Sequence, residues 1–181
     1  MNQVEKARVF ATAAHAAVGQ KRKYTGEDYI VHPLHVATVV AEAGGTEAQI
    51  CAALLHDVLE DTQVTEQTLR VEFGNEVTDL VVWLTNVSKT TCPTANRKTR
   101  KAADRDALAK APAEAQTIKL ADLISNTVSI VAEDPDFAKT YIPEKKELLG
   151  ALTLGNRSLW DAAWAQIVAA EEKFVQDALK P

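Results

Sequence analysis

Apolar residues recur along this chain mostly at spacings of three and four, the period of one face of an α-helix. No β-branched run alternates with polar residues and no Asn-Gly pair marks a hairpin, so the pattern predicts an all-α domain. The first helix is expected from Val4 to Val18, stopped by Gly19 and followed by a polar loop from Lys21 to Glu27. A second starts at His32-Pro33, because proline suits a first helical turn, and runs to Gly44-Gly45. Thr46 is the expected N-cap of a third helix ending near Asp61. Shorter helices are expected from Glu66 to Phe73 and from Asn75 to Asn86, parted by Gly74. Thr94 caps a highly charged helix reaching Lys110, and Pro112 breaks the pattern. Ala113 to Glu133 reads as one long helix ended by Asp134-Pro135. Helices near Pro143 to Gly150 and Leu154 to Lys180 complete a bundle of about eight to ten.

Composition narrows the class. The 30 alanines favour helix. A chain of 181 residues, 46% hydrophobic and 25% charged, suits one globular domain over 1–181 rather than a disordered segment. A net charge of −5 argues against a general nucleic-acid binder, yet leaves room for a local basic pocket. No run is long enough to span a bilayer, and Met1 to Gln20 lacks the layout of a secretion signal, so the cytoplasm is the expected setting, with no membrane partner. Cys51 sits in an apolar run and neither it nor Cys92 belongs to a CxxC pair, which speaks against a disulfide framework or a cysteine-ligated zinc. Trp83, Trp160 and Trp164 are expected in the core, with an interface as the alternative, and the charged trio Asp104-Arg105-Asp106 on a solvated face. Oligomeric state is not legible here.

The third helix is apolar on all sides from Ile50 to Leu55 and then turns ionisable at His56, Asp57, Glu60 and Asp61. His56 and Glu60 are i,i+4 partners, as are Asp57 and Asp61, so all four crowd one sector of the helix end. Burying such charges without a partner costs several kcal/mol, and a cation resolves the conflict. The helix around Asp122 repeats the pattern, with Leu120, Ile124, Val128 and Val131 as an apolar stripe and Lys119, Asp122, Asn126 and Ser129 as a polar one. Together with His32 upstream, the set offers two imidazoles and two carboxylates, which suit Mn²⁺, Fe²⁺ or Zn²⁺. Such an ion lowers the pKa of a water, and Glu60 and Asp61 stand one turn away to orient or deprotonate it. A lone His-Asp pair is common and weak; the ordered combination is what carries the reading. His35 reads as a pocket-lining or capping residue and His15 as packing.

The combination His32…His56-Asp57…Asp122 resembles the HD superfamily of metal phosphohydrolases, and further motifs resemble the hydrolase domain of the RelA/SpoT family. Arg22 to Pro33 is similar to RK-x-TGEPYIxHP, Ala52 to Thr62 to AALLHDxxEDT, Phe73 to Val77 to FGxEV, Leu84 to Lys89 to LTxxSK, and Ile118 to Asn126 to xKLADxxxN. Asp28 stands where that family usually has proline, Tyr24 separates Lys23 from Thr25, and Leu123 stands where arginine is frequent. The resemblance covers Val4 to Val131 and is loose from Tyr141 to Lys180. It implies a helical HD bundle and, at this length, a likeness to the stand-alone small alarmone hydrolases. These remove the 3′-diphosphate of ppGpp-type nucleotides, using Mn²⁺. It implies His32, His56, Asp57 and Asp122 as metal ligands, with Glu60 and Asp61 activating water. Arg22, Lys23 and Asn126 would hold the nucleotide, Lys89 and Arg97 would meet phosphate, and Tyr141 would stack on base or ribose.

Two other readings stay beside it. One is an HD phosphohydrolase acting on a different nucleotide, a nucleoside monophosphate or NADPH, which would release phosphate. The other is a helical module that binds a nucleotide without turnover. The carboxylate pair Glu60-Asp61 favours an enzyme, since a mere binder has no need of it.

Overall fold

The computed structural model describes residues 2–179; Lys180, the expected end of the last helix, lies outside the described residues. Among the described residues ten helices form and no strand, with one isolated antiparallel bridge between Lys21 and Asp28. None of these helices is long and apolar enough to cross a membrane.

Helix α3 (Glu47–Leu55) occupies the centre, packed against α1 (Gln3–Ala17), α2 (Val31–Glu42), α5 (Glu66–Leu84) and α8 (Ala113–Glu133). Its start is fixed by a capping box: the Gln49 amide donates to Thr46 Oγ1 at 3.2 Å, and the Thr46 amide donates to Gln49 Oε1 at 2.8 Å. Cys51, Ala52, Ala53, Leu54 and Leu55 are all buried, and burial of each leucine contributes about 1.5–3 kcal/mol. That apolar anchoring holds the polar end of the helix in place.

The expected third helix is two helices. It breaks at His56-Asp57 and restarts as the single turn α4 (Val58–Asp61). In an unbroken helix the Ala53 carbonyl would accept from the amide of residue 57; it instead accepts His56 Nδ1–H at 2.7 Å. The break turns Asp57 and the α4 carboxylates out of simple helical register.

The helix pair expected around Gly74 is joined end to end as α5, kinked where Gly74 adopts φ 80° and ψ 177°, a conformation open to glycine. After the short α6 (Ser88–Thr91), α7 (Arg97–Leu108) is capped by Asn96, whose side chain accepts the Thr99 amide at 2.9 Å, rather than by Thr94. Helix α9 (Pro135–Ala151) starts eight residues before the expected Pro143, because Asp134 caps it and Pro135 fills the first helical position. Helix α10 (Arg157–Ala178) starts at the Asn156 cap rather than at Leu154.

Three further expectations are corrected by burial. Asp104 is buried, not solvated: both its oxygens accept from Ser88, one from the amide and one from the hydroxyl, each at 2.9 Å. Val128 lies exposed on α8, outside the apolar stripe. Trp83 and Trp164 are substantially exposed, while Trp160 packs on the core and donates to the Leu149 carbonyl at 3.0 Å. Both cysteines are free.

Candidate metal centre

Four elements converge at the end of α3. His32 comes from the first turn of α2, His56 and Asp57 from the break between α3 and α4, and Asp122 from the middle of α8. His32 Nε2 lies 3.1 Å from Asp122 Oδ1 and 3.8 Å from Asp57 Oδ2, and His56 Nε2 lies 3.0 Å from Asp57 Oδ2 and 3.8 Å from Asp122 Oδ1. Ligand atoms of His32, His56 and Asp57 all lie within 4.8 Å of one another. Both imidazoles and Asp122 are buried.

The donor chemistry fits a cation. With its Nδ1–H given to Ala53, His56 turns Nε2 towards two carboxylates, and this buried atom makes no well-aligned hydrogen bond to either. Lone pair against carboxylate is repulsive, so the point between them needs a proton or a metal ion. The electrostatics agree. Burial opposes charge on His56, but Asp57 beside it outweighs burial and lifts its pKa to about 9. Burial also opposes charge on Asp57 and Asp122; even so, His56 holds the first well below the usual carboxylate range and Lys119 does the same for the second.

Outer residues orient these groups. Tyr29 O–H donates to Asp57 Oδ2 at 2.5 Å. Ser125 Oγ sits 3.0 Å from His32 Nδ1 and 2.9 Å from His35 Nδ1; with the hydroxyl accepting His32 Nδ1–H and donating to His35 Nδ1, His32 Nε2 is left unprotonated for the cluster. On Asp122, Lys119 donates to Oδ2 and Asn126 to Oδ1, each at 2.6 Å. Sequence reasoning did not assign Tyr29, Ser125 or Lys119 to the site. The only signal was that Lys119 and Asn126 share a stripe with Asp122 at helical spacing; nothing local ties Tyr29 to Asp57.

The carboxylates of α4 are held differently. Glu60 is nearly saturated: Oε1 accepts the Asn86 amide at 2.6 Å, and Oε2 accepts Asn86 Nδ2 at 2.9 Å and faces Lys89 Nζ at 3.0 Å. Asp61 Oδ2 accepts from Gln20 Nε2 at 2.9 Å, whose own Oε1 accepts from His15 Nδ1 at 2.6 Å. Its Oδ1 has only Lys89, 3.7 Å away. Asp61 is thus the more open of the two.

Arg22, Lys23 and Asn126 line one cavity of about 440 Å³, together with Tyr29, Ser129 and Phe137. Arg22 Nη2 donates to Ser129 Oγ at 3.1 Å, and Lys23 Nζ lies 4.6 Å from the Tyr24 ring centroid and 5.6 Å from that of Phe137. Lys89 and Arg97 line a separate cavity of about 360 Å³ with Arg100 and Lys101. Tyr141 lines neither; it is 5% exposed and part of the core.

An all-helical bundle closing on a His/His-Asp/Asp cluster defines a class of helical domain built around a centre whose residues could hold a metal ion. The HD domain family matches residues 7–147, and the chain belongs to it. The chain is 34% identical over 161 residues to a probable guanosine-3′,5′-bis(diphosphate) 3′-pyrophosphohydrolase of Synechocystis sp. (strain ATCC 27184 / PCC 6803 / Kazusa), matching 88% of this chain and 20% of that protein. It is 33% identical to the guanosine-3′,5′-bis(diphosphate) 3′-pyrophosphohydrolase of Aquifex aeolicus (strain VF5), matching 98% of this chain and 26% of that protein. The chain therefore spans a fifth to about a quarter of these relatives' length. A solved structure described as a metazoan ortholog of SpoT that hydrolyzes ppGpp superposes with a TM-score of 0.83 at 26% identity, covering 93% of this chain and 96% of the other.

Proposed function

We propose that this chain hydrolyses the 3′-diphosphate of a guanosine 3′,5′-bis(diphosphate)-type nucleotide, with one divalent ion, Mn²⁺, held by His32, His56, Asp57 and Asp122. The observation that carries the reading is the buried His56 Nε2 facing two carboxylates without a well-aligned hydrogen bond, flanked along α8 by a cation-lined cavity at Asn126 and another at Lys119. The activities named for the Synechocystis, Aquifex and metazoan proteins support it.

When bound, the ion supplies Lewis-acid activation of water and phosphoryl oxygen. Arg22, Lys23 and Asn126 hold the nucleoside end, with Phe137 offering an aromatic face in the same cavity. Asp61, with Oδ1 open, takes the proton of the attacking water. Glu60, locked by Asn86 and Lys89, fixes the charge beside it. Water oxygen bonds to phosphorus, the O3′–P bond breaks, the 3′ oxygen takes a proton and inorganic diphosphate leaves. Free nucleotide in the cytoplasm is the substrate pool this implies.

Incubating Mn²⁺-loaded protein with ppGpp and separating products tests the reading. GDP with diphosphate is expected. Turnover of another nucleotide with release of single phosphate, and none of ppGpp, would overturn it.

A further inference from the structure

A cavity of about 630 Å³ opens between α7, α8 and α9, bordered by Lys101, Lys119, Lys145, Asp104, Glu144 and Glu147 among others. Its charges do not balance. Asp104 is committed to Ser88. Glu144 accepts both Nε and Nη2 of Arg97, at 2.7 and 2.9 Å, and Glu147 is paired with Arg105. Lys119 is paired with Asp122. Among the described residues this leaves the exposed Lys98 and the more buried Lys101 and Lys145 with no ion pair or hydrogen bond; Lys145 Nζ rests over the Tyr141 ring at 5.0 Å from its centroid. Lys101 and Lys145 are half-buried. Burial first, and then the charge of Lys119, lower the Lys145 pKa to about 7, against the opposing pull of Asp122 and Glu144, and a bound anion would favour its charged form.

The position of this cavity says which anion. Along α8, Ser129 and Asn126 line the basic-loop cavity, Asp122 stands in the metal cluster, and Lys119 lines this one. From residue 129 to residue 119 is about 15 Å at 1.5 Å per residue. A nucleotide held at the Asn126 end with its reacting phosphorus at Asp122 must carry any further phosphate on towards Lys119.

Resting on the function proposed above, we propose that this cavity seats the distal phosphate of the departing diphosphate, with Lys145 and Lys101 selecting diphosphate over a single phosphate. Lys145 is the specificity residue, reached from a helix that contributes nothing to the metal cluster.

The test is product inhibition of the Mn²⁺-loaded enzyme by inorganic diphosphate and by inorganic phosphate. Lys145→Met keeps the aliphatic stem and removes the charge. It is expected to raise the inhibition constant for diphosphate about ten- to a hundredfold, the loss of a charge-assisted hydrogen bond, and that for phosphate by less than about twofold. Lys145→Arg restores tight diphosphate inhibition, which a merely misfolded site would not. Equal changes for both anions, or no change for either, overturn the assignment while leaving ppGpp hydrolysis by the wild type intact. A wild type that releases no diphosphate from ppGpp overturns the underlying function and this assignment with it.

Discussion

Lys119 and Asp122 lie one turn apart on α8, and the lysine donates to Oδ2 of the aspartate at 2.6 Å while Oδ1 faces His32 Nε2 at 3.1 Å. One carboxylate is thereby split between a fixed internal cation and the cluster. Lys119 is itself held fully charged by that contact despite its burial. The arrangement keeps Asp122 ionised in an apolar wall and turns Oδ1, steadied by Asn126, towards His32.

Lys119→Met should therefore release Asp122 rather than unfold the bundle. Metal affinity is expected to fall about ten- to a hundredfold, as for other partners that orient a ligand. Competition titration against a metal-binding dye measures it. Unchanged affinity would mean that Asp122 does not need the lysine.

Removing the ion should lower thermal stability. An ion present at a hundred times its dissociation constant stabilises by about 2.7 kcal/mol, which for a domain of this size is roughly 5–10 °C in Tm. Scanning calorimetry with and without chelator reads the difference, and coincident curves would count against a preformed centre.

The pH dependence of that difference has a defined sign. In the metal-free protein the His56 pKa is raised from 6.5 to about 9. Its stabilisation is therefore complete below about pH 6.5 and is lost as pH rises through about 9. Metal-free protein should lose up to about 3 kcal/mol across that window. Metal-loaded protein should gain, because a ligating imidazole must shed its proton. Melting curves at several pH values, with Mn²⁺ and with chelator, should diverge towards alkaline pH; parallel trends would show that His56 is not where ion and proton compete.

Glu60→Gln retains the shape of the side chain and removes its charge. Turnover of ppGpp is expected to drop about 10²–10⁴-fold, with metal content unchanged. Asn86→Ala, which removes the Nδ2 donor to Glu60 Oε2 while keeping the backbone amide on Oε1, should act in the same direction more weakly. Full activity in both variants would remove Glu60 from the reaction.

The loop from α9 to α10 makes a stability prediction independent of chemistry. A Cβ added at Gly155 would stand 2.7 Å from Leu120 Cδ1 and 3.2 Å from the Gln116 carbonyl carbon. Gly155→Ala should cost about 1–3 kcal/mol by overpacking, visible in chemical denaturation.

What the amino-acid order determined by itself was the helical class and most of the helix starts, because caps and prolines act within a few residues: Thr46 with Gln49, and Pro33 in a first turn, are local chemistry. Where two caps competed, as with Thr94 and Asn96, or where a proline could serve inside a helix, as Pro143 does, local rules did not decide. His56, Asp57 and Asp122 stood out because ionisable residues interrupt runs that otherwise read as core. The helix break at His56-Asp57 was not legible, since it depends on a ring nitrogen capturing the Ala53 carbonyl. Only the tertiary structure brought Tyr29 onto Asp57, Ser125 between two imidazoles, and Asp104 under Ser88. These partners lie 16 to 93 residues apart, a separation at which periodicity carries no information, and what selects them is the requirement that each polar group buried by packing find a partner in space.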